Sequence, residues 1–205
     1  MKSYRFSGLL VPVFFLNACA SPPVHYYSLL APSGETITTK PPAPFMVDVL
    51  PVGIPSQNDQ SQLVVRQGAA GAVVLDNERW TGPLDDEIRS ALSSVLTHEL
   101  ATQDVAGLPQ TSARPVLRIK LQLRRFDAWP GQRVQLDADW SLGFANEAGK
   151  PRLVCRGYLD EPAPGGYPEM VQAQQRLVAA LARRIATDAR AWAHSRQAAC
   201  VDPQE

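Results

Sequence analysis

The residues whose type and spacing invite a chemical reading are few: three cysteines, three histidines and one acidic triplet. Cys19 closes the run Leu16-Asn17-Ala18-Cys19, with an apolar residue three places before the thiol and a small residue just before it. A small residue fits a peptidase cleft, and a thiol there can take a thioether-linked diacylglycerol before the chain is cut on its N-terminal side. Asn17 is a less usual residue for its position, and an ordinary signal peptide with an incidental cysteine is the other reading. Cys155 and Cys200 are a candidate disulfide in an oxidising compartment, worth ~2–4 kcal/mol. Alternatively they are separate thiols, Cys155 buried and Cys200 on a tail. With only distant histidines they do not make a zinc site. His98-Glu99 starts like a zincin motif, but Thr102 stands where its second histidine belongs. Asp85-Asp86-Glu87 could be read as a catalytic or metal cluster and is better read as the start of a helix. There is no G-x-S-x-G nucleophile elbow and no Gly-rich loop after a strand to cradle phosphate. A triad built from distant residues is beyond what spacing decides, but the local motifs favour a protein that is not an enzyme and needs no metal or cofactor.

The segment before Cys19 has the form of an export signal. Lys2 and Arg5 precede residues 8–16, GLLVPVFFL, an apolar run of nine residues. A spanning helix needs roughly 20, so this is a secretory h-region. The expected organisation is a signal peptide over 1–18, a lipidated tether over 19–24, one domain over 25–198 and a tail over 199–205. Up to three acyl chains on Cys19 would make attachment effectively permanent, since one chain alone holds only marginally. Ala20 follows the cysteine where an Asp would retain the protein at the inner membrane, so the outer membrane, periplasmic face, is the expected location.

Composition narrows the partners. Aliphatic and aromatic residues make up 45% of the 205 positions, enough for a packed core. Charges balance at 20 basic and 20 acidic. Loss of Lys2 and Arg5 with the signal leaves a slightly acidic mature chain. No basic excess is present to neutralise a phosphate backbone, which argues against nucleic acid.

The remaining elements follow from periodicity. Residues 25–30 and 45–52 read as strands, separated by a proline-rich loop. Residues 62–66 and 72–76 read as a hairpin about Gly68-Ala69-Ala70-Gly71. Leu84, Ile88, Leu92, Val95 and Leu96 form one stripe of a helix over about 83–101, with Pro83 at its start. Leu117, Ile119, Leu121 and Leu123 alternate with polar residues, as do Val134, Leu136, Ala138, Trp140, Leu142 and Phe144, giving two half-buried strands of an antiparallel hairpin. Their parities fix the buried faces. The register expected pairs Ile119 with Trp140, Leu121 with Ala138 and Lys120 with Asp139, and the charged stripe is read as a solvated face. Residues 152–159 continue as a strand with Cys155 facing the core, and 169–195 as a helix striped by Val178, Leu181, Ile185, Ala189 and Trp192. The expected fold is α+β: a mostly antiparallel mixed sheet with two long helices packed on one face.

Several segments, in order, resemble the PqiC/YmbA-type family of ABC-type transport auxiliary lipoproteins. They are Tyr26-Tyr27-x-Leu29, Val47-x-Val49-x-Pro51-Val52, Ile54-Pro55, Gln62-Leu63-Val64-Val65-Arg66, Asp76-Asn77-Glu78-Arg79-Trp80, Pro83-Leu84 and Leu136-x-Ala138-x-Trp140, before a closing helix with Ala180-Leu181-Ala182. The resemblance implies an auxiliary subunit of a lipid transport system between the two membranes. It would dock the far end of an MCE-domain, periplasm-spanning (PqiB-like) partner at the outer membrane and so support envelope integrity; a scaffold for another envelope machine is the alternative. It brings no catalytic residue. The contact surface expected is 53–80, with Arg66, Glu78, Arg79 and Trp80 as partner-binding candidates because aromatic and Arg side chains are enriched at hot spots. For Trp80 the better reading is a plug of the core against the following helix. A homo-oligomer is compatible with these features and not specified by them.

Overall fold

A computed structural model describes residues 22–32, 40–109, 113–147 and 149–201. Cys19, the expected lipidation site, and the expected signal sequence lie outside the described residues, as does the end of the tail.

The two helices begin and end as their sequences dictate. Helix α1, Leu84–Leu100, starts after Pro83 with Asp85, Asp86 and Glu87 in its first turn, where carboxylates meet the positive end of the dipole. It stops at Ala101, held in the left-handed conformation at φ 44°. Its stripe of Leu84, Ile88, Leu92, Leu96 and Leu100 is buried. Helix α2, Tyr167–His194, starts with the Glu169 carboxylate accepting the Gly166 N–H at 2.9 Å and Pro168 in the first turn. The helices pack on each other, and α2 also covers part of a sheet. Among the described residues no helix is long and apolar enough to cross a membrane.

Seven strands make two sheets. Strands β1 (His25–Tyr27), β4 (Gly71–Trp80) and β3 (Gln62–Gln67) form one, in the order β1-β4-β3. Strands β2 (Met46–Val49), β5 (Val116–Trp129), β6 (Arg133–Phe144) and β7 (Leu153–Pro162) form the other, in that order. The β5–β6, β6–β7 and β3–β4 pairs are antiparallel, whereas β1–β4 and β2–β5 are parallel. The α+β class and the mixed, mostly antiparallel pairing agree with the sequence reading; the division into two sheets is additional. The sheets meet where Trp129 Nε1 donates to the Gly68 carbonyl at 3.1 Å and Asn58 Nδ2 to the Phe126 carbonyl at 3.3 Å.

Three local expectations are corrected. The first strand ends at Tyr27 rather than residue 30, because the Ser28 hydroxyl and Leu29 N–H donate to one Glu87 oxygen at 2.7 and 2.8 Å, which turns Leu29 into the core. The strand expected over 72–76 runs to Trp80, because β1 pairs beside its end: His25 with Glu78, Tyr26 with Arg79, Tyr27 with Trp80. The β5–β6 register lies two residues from that expected, so the parity holds and the partners change. Ile119 faces Leu142, Leu121 faces Trp140 and Lys120 faces Ser141, not Asp139. A bulge between Leu123 and Arg125 then shifts the register once more and turns Phe126 and Ala128 inward.

The core joins both helices to β5 and β6 through Ile88, Leu92, Leu121, Trp140 and Leu181. A buried polar contact crosses it. The Trp140 Nε1 donates to Asp188 Oδ2 at 2.9 Å, and Val201 N–H donates to the other oxygen at 2.8 Å. Burial pushes the Asp188 carboxyl above its usual range despite these two bonds and the nearby Arg184.

Candidate docking surface

The short strand β1 lies beside the end of β4, so its side chains meet residues expected to bind a partner. Alternation along β1 sends Tyr27 inward and leaves Tyr26 62% exposed. The Tyr27 hydroxyl donates to Glu78 Oε2 at 2.6 Å, and His25 Nδ1 lies 3.0 Å from Oε1. Burial, reinforced by the Glu78 bond and charge, pushes the Tyr27 phenol up to about 12. Burial alone would raise the Glu78 carboxyl, but the bonds from Tyr27 and His25 outweigh it and hold the group below the usual range. Glu78 therefore stays charged at neutral pH and fastens β1 to β4.

Trp80 is 5% exposed, the inner end of β4 rather than a surface ring. Its N–H donates to the Ser61 carbonyl at 2.8 Å, and the next N–H, of Thr81, donates to the Tyr27 carbonyl at 2.9 Å. Trp80 thus takes the core role that the sequence reading favours. It still forms part of the wall of an open depression of about 440 Å³, bounded also by Tyr26, Ser61, Arg79, Gly82 and Leu84. Arg79 is partly exposed and donates through Nε to the Asp76 carbonyl at 3.4 Å.

Of the four candidates, Arg79 and Trp80 line the depression, and Glu78, bonded to β1, is next to them. Arg66 is not: it pairs with Ala72 near the hairpin turn and donates to the Ala69 carbonyl at 3.3 Å. Beside it β4 exposes Val73 and Val74 by 38% and 44%. Sequence alone does not mark Tyr26, Val73 and Val74 as binding candidates. The aromatic run at 25–27 was the available signal for the first. The valines carried none, because exposed and buried strand valines look alike in sequence.

This surface presents a phenol and a guanidinium around an open depression and two exposed valines on the β3–β4 hairpin. Among the described residues no group of three His, Cys, Asp or Glu side chains is placed to hold a metal ion. At the opposite end of the fold the structure joins Cys155 on β7 to Cys200 after α2, with Cα atoms 5.7 Å apart.

Comparison with known proteins adds the family. Over 164 residues the chain is 24% identical to the intermembrane transport lipoprotein PqiC of Escherichia coli strain K12, covering 79% of this chain and 85% of that one, and it matches the Shigella flexneri PqiC equally. A crystal structure of an uncharacterised protein superposes with a TM-score of 0.63 at 22% identity, covering 81% of this chain and 98% of that one. A protein from Xanthomonas campestris gives 0.56 at 11% identity, covering 69% and 81%. These two share the fold. The model of the ABC-type transport auxiliary lipoprotein component matches residues 27–186, from the end of β1 deep into α2, and the chain belongs to that family.

Proposed function

We propose that this auxiliary lipoprotein is held by acylated Cys19 at the periplasmic face of the outer membrane, where it docks the far end of an MCE-domain, periplasm-spanning partner of a lipid transport system. The observation that carries this reading is the order of features along the chain. A lipidation signal ends at Cys19, a few residues of tether follow, and the family match begins at residue 27. The related E. coli protein is an intermembrane transport lipoprotein. Such a subunit needs an anchor, a stable domain and an accessible surface. The β1–β4 depression, the hairpin bearing Val73 and Val74, and Arg66 are the surface we assign to the partner. The Cys155–Cys200 bond suits an oxidising periplasm.

A photo-crosslinking residue at Tyr26 or Val74, placed in cells, tests this directly. Capture of an MCE-domain protein from those positions, and not from exposed Tyr158 on β7, is the expected result. Crosslinks to a different envelope machine would replace the reading with that of a scaffold. Gradient separation of the membranes tests the location, with the protein expected in the outer fraction and Cys19→Ala protein absent from it.

A further inference from the structure

The bulge at Arg124 has a consequence on the outer face of the four-stranded sheet, the face turned away from the core. It presents two consecutive residues of β5, Arg124 and Arg125, to solvent. Bulges re-aim side chains in this way. Arg124 Nε donates to Asp139 Oδ2 at 2.7 Å. Arg156 comes from β7 to the same carboxylate, Nε to Oδ1 at 2.6 Å and a terminal nitrogen to Oδ2 at 3.3 Å. Lys120 stands on the same face of β5 and donates to the Pro51 carbonyl at 2.7 Å. These three cations and one carboxylate border an open depression of about 590 Å³ that also includes Gln122, Ser141 and Val154.

The depression itself is lined by three cations and one carboxylate, with the Asp137 carboxylate near Arg156, whereas further along the sheet Arg125 and Arg133 meet Asp127, Asp137 and Asp160. The hydrogen bonds from Arg156 and then Arg124 hold the Asp139 carboxyl at about 2, so it stays ionised and fixes both guanidiniums side by side. Each spends its Nε on that clamp, and the terminal nitrogens of Arg124 have no hydrogen-bond partner among the described residues. Paired guanidinium forks match the oxygens of a phosphate group.

We propose that this depression is an anion site for a phosphate-type group, with Lys120, Arg124 and Arg156 as its charged ligands and Ser141 as a further donor. The group could belong to an anionic lipid headgroup or to free phosphate. The side chains of Arg124 and Arg156 are 59% and 77% exposed, so binding should be weak and should fall steeply with salt. The site stands apart from the β1–β4 surface, and its failure would leave the docking reading untouched.

The test is calorimetric titration of the full chain, extracted in uncharged detergent, with inorganic phosphate and with short-chain phosphatidylglycerol; short-chain phosphatidylcholine is the control. Saturable binding of at least one anionic probe is expected, weakened tenfold or more by Lys120→Gln with Arg156→Gln and unchanged by Arg133→Gln. Arg156→Lys should retain part of it, and circular dichroism should show each variant folded. A preference for phosphatidylglycerol assigns the site to a headgroup and a preference for phosphate to the free ion. Equal binding means that the phosphate group alone is read. Saturation by neither anion, equal affinity for phosphatidylcholine, or full binding by the folded double variant would overturn the proposal.

Discussion

Opening the Cys155–Cys200 bond should weaken the fold more than any surface change. The bridged residues are 45 apart in sequence. On chain-entropy grounds a closed loop of that length is worth about 4 kcal/mol, and disulfides commonly deliver ~2–4. The bond acts on a short segment whose other contacts include the Val201 N–H on Asp188 at 2.8 Å, Arg196 on both Glu147 oxygens at 3.2 Å, the same guanidinium over the Phe144 ring at 4.3 Å, and Ala198 against the core. For a domain of this size each kcal/mol moves the midpoint by roughly 2–4 °C, so reduction should lower it by roughly 4–16 °C. The assay is urea and thermal unfolding of the oxidised protein, the protein in reductant, and a Cys155→Ala/Cys200→Ala variant. Reduced protein is the better comparator, since Cys155 is buried and its replacement also removes core volume. Coincident curves for oxidised and reduced protein, within ~0.5 kcal/mol, would refute the reasoning. So would quantitative labelling of both thiols in the folded protein.

Other outcomes follow from single contacts. Trp80→Ala should cost ~3–5 kcal/mol as a core truncation, read by urea unfolding; a loss below ~1 kcal/mol with partner binding abolished would return Trp80 to the interface. Tyr27→Phe removes the donor to Glu78 and should cost ~1–3 kcal/mol, with the Glu78 carboxyl moving back up, measurable by NMR titration. The Asp139 carboxyl is depressed in the folded state, so its stabilisation is complete above its unfolded value near 3.9 and is lost as pH falls towards about 2. Asp139→Asn should therefore lower stability at pH 7 by ~1 kcal/mol or less, the scale of an exposed pair, and the gap from the parent should close as pH falls from 4 to 2.

The elements visible in sequence were those with a strong period. Alternation over 117–123 and 134–144 and the helical stripes of α1 and α2 recur in the structure, since a one-residue slip would expose each apolar set. A two-residue slip leaves that pattern intact, so the Ile119–Trp140 pairing could not be distinguished from the observed Ile119–Leu142. The bulge was hidden because Arg124 and Arg125 read as the end of a strand rather than as two outward side chains. Parallel pairing of β1 with β4 joins segments about 50 residues apart and has no local signature. The same holds for the burial of Trp80, which depends on Ser61 and Tyr27 closing over the backbone beside it. Cys155 showed its inward face by parity with Leu153; that Cys200 meets it depends on where α2 ends.

The central claim is that this lipoprotein docks a periplasm-spanning partner. The most direct measurement is affinity capture of the lipidated protein from envelope membranes, with mass spectrometry of what comes with it and Cys19→Ala protein as control. Recovery of an MCE-domain protein with the parent, and its loss with the control, is predicted. Intact outer-membrane protein that brings down no MCE-domain protein would contradict the account.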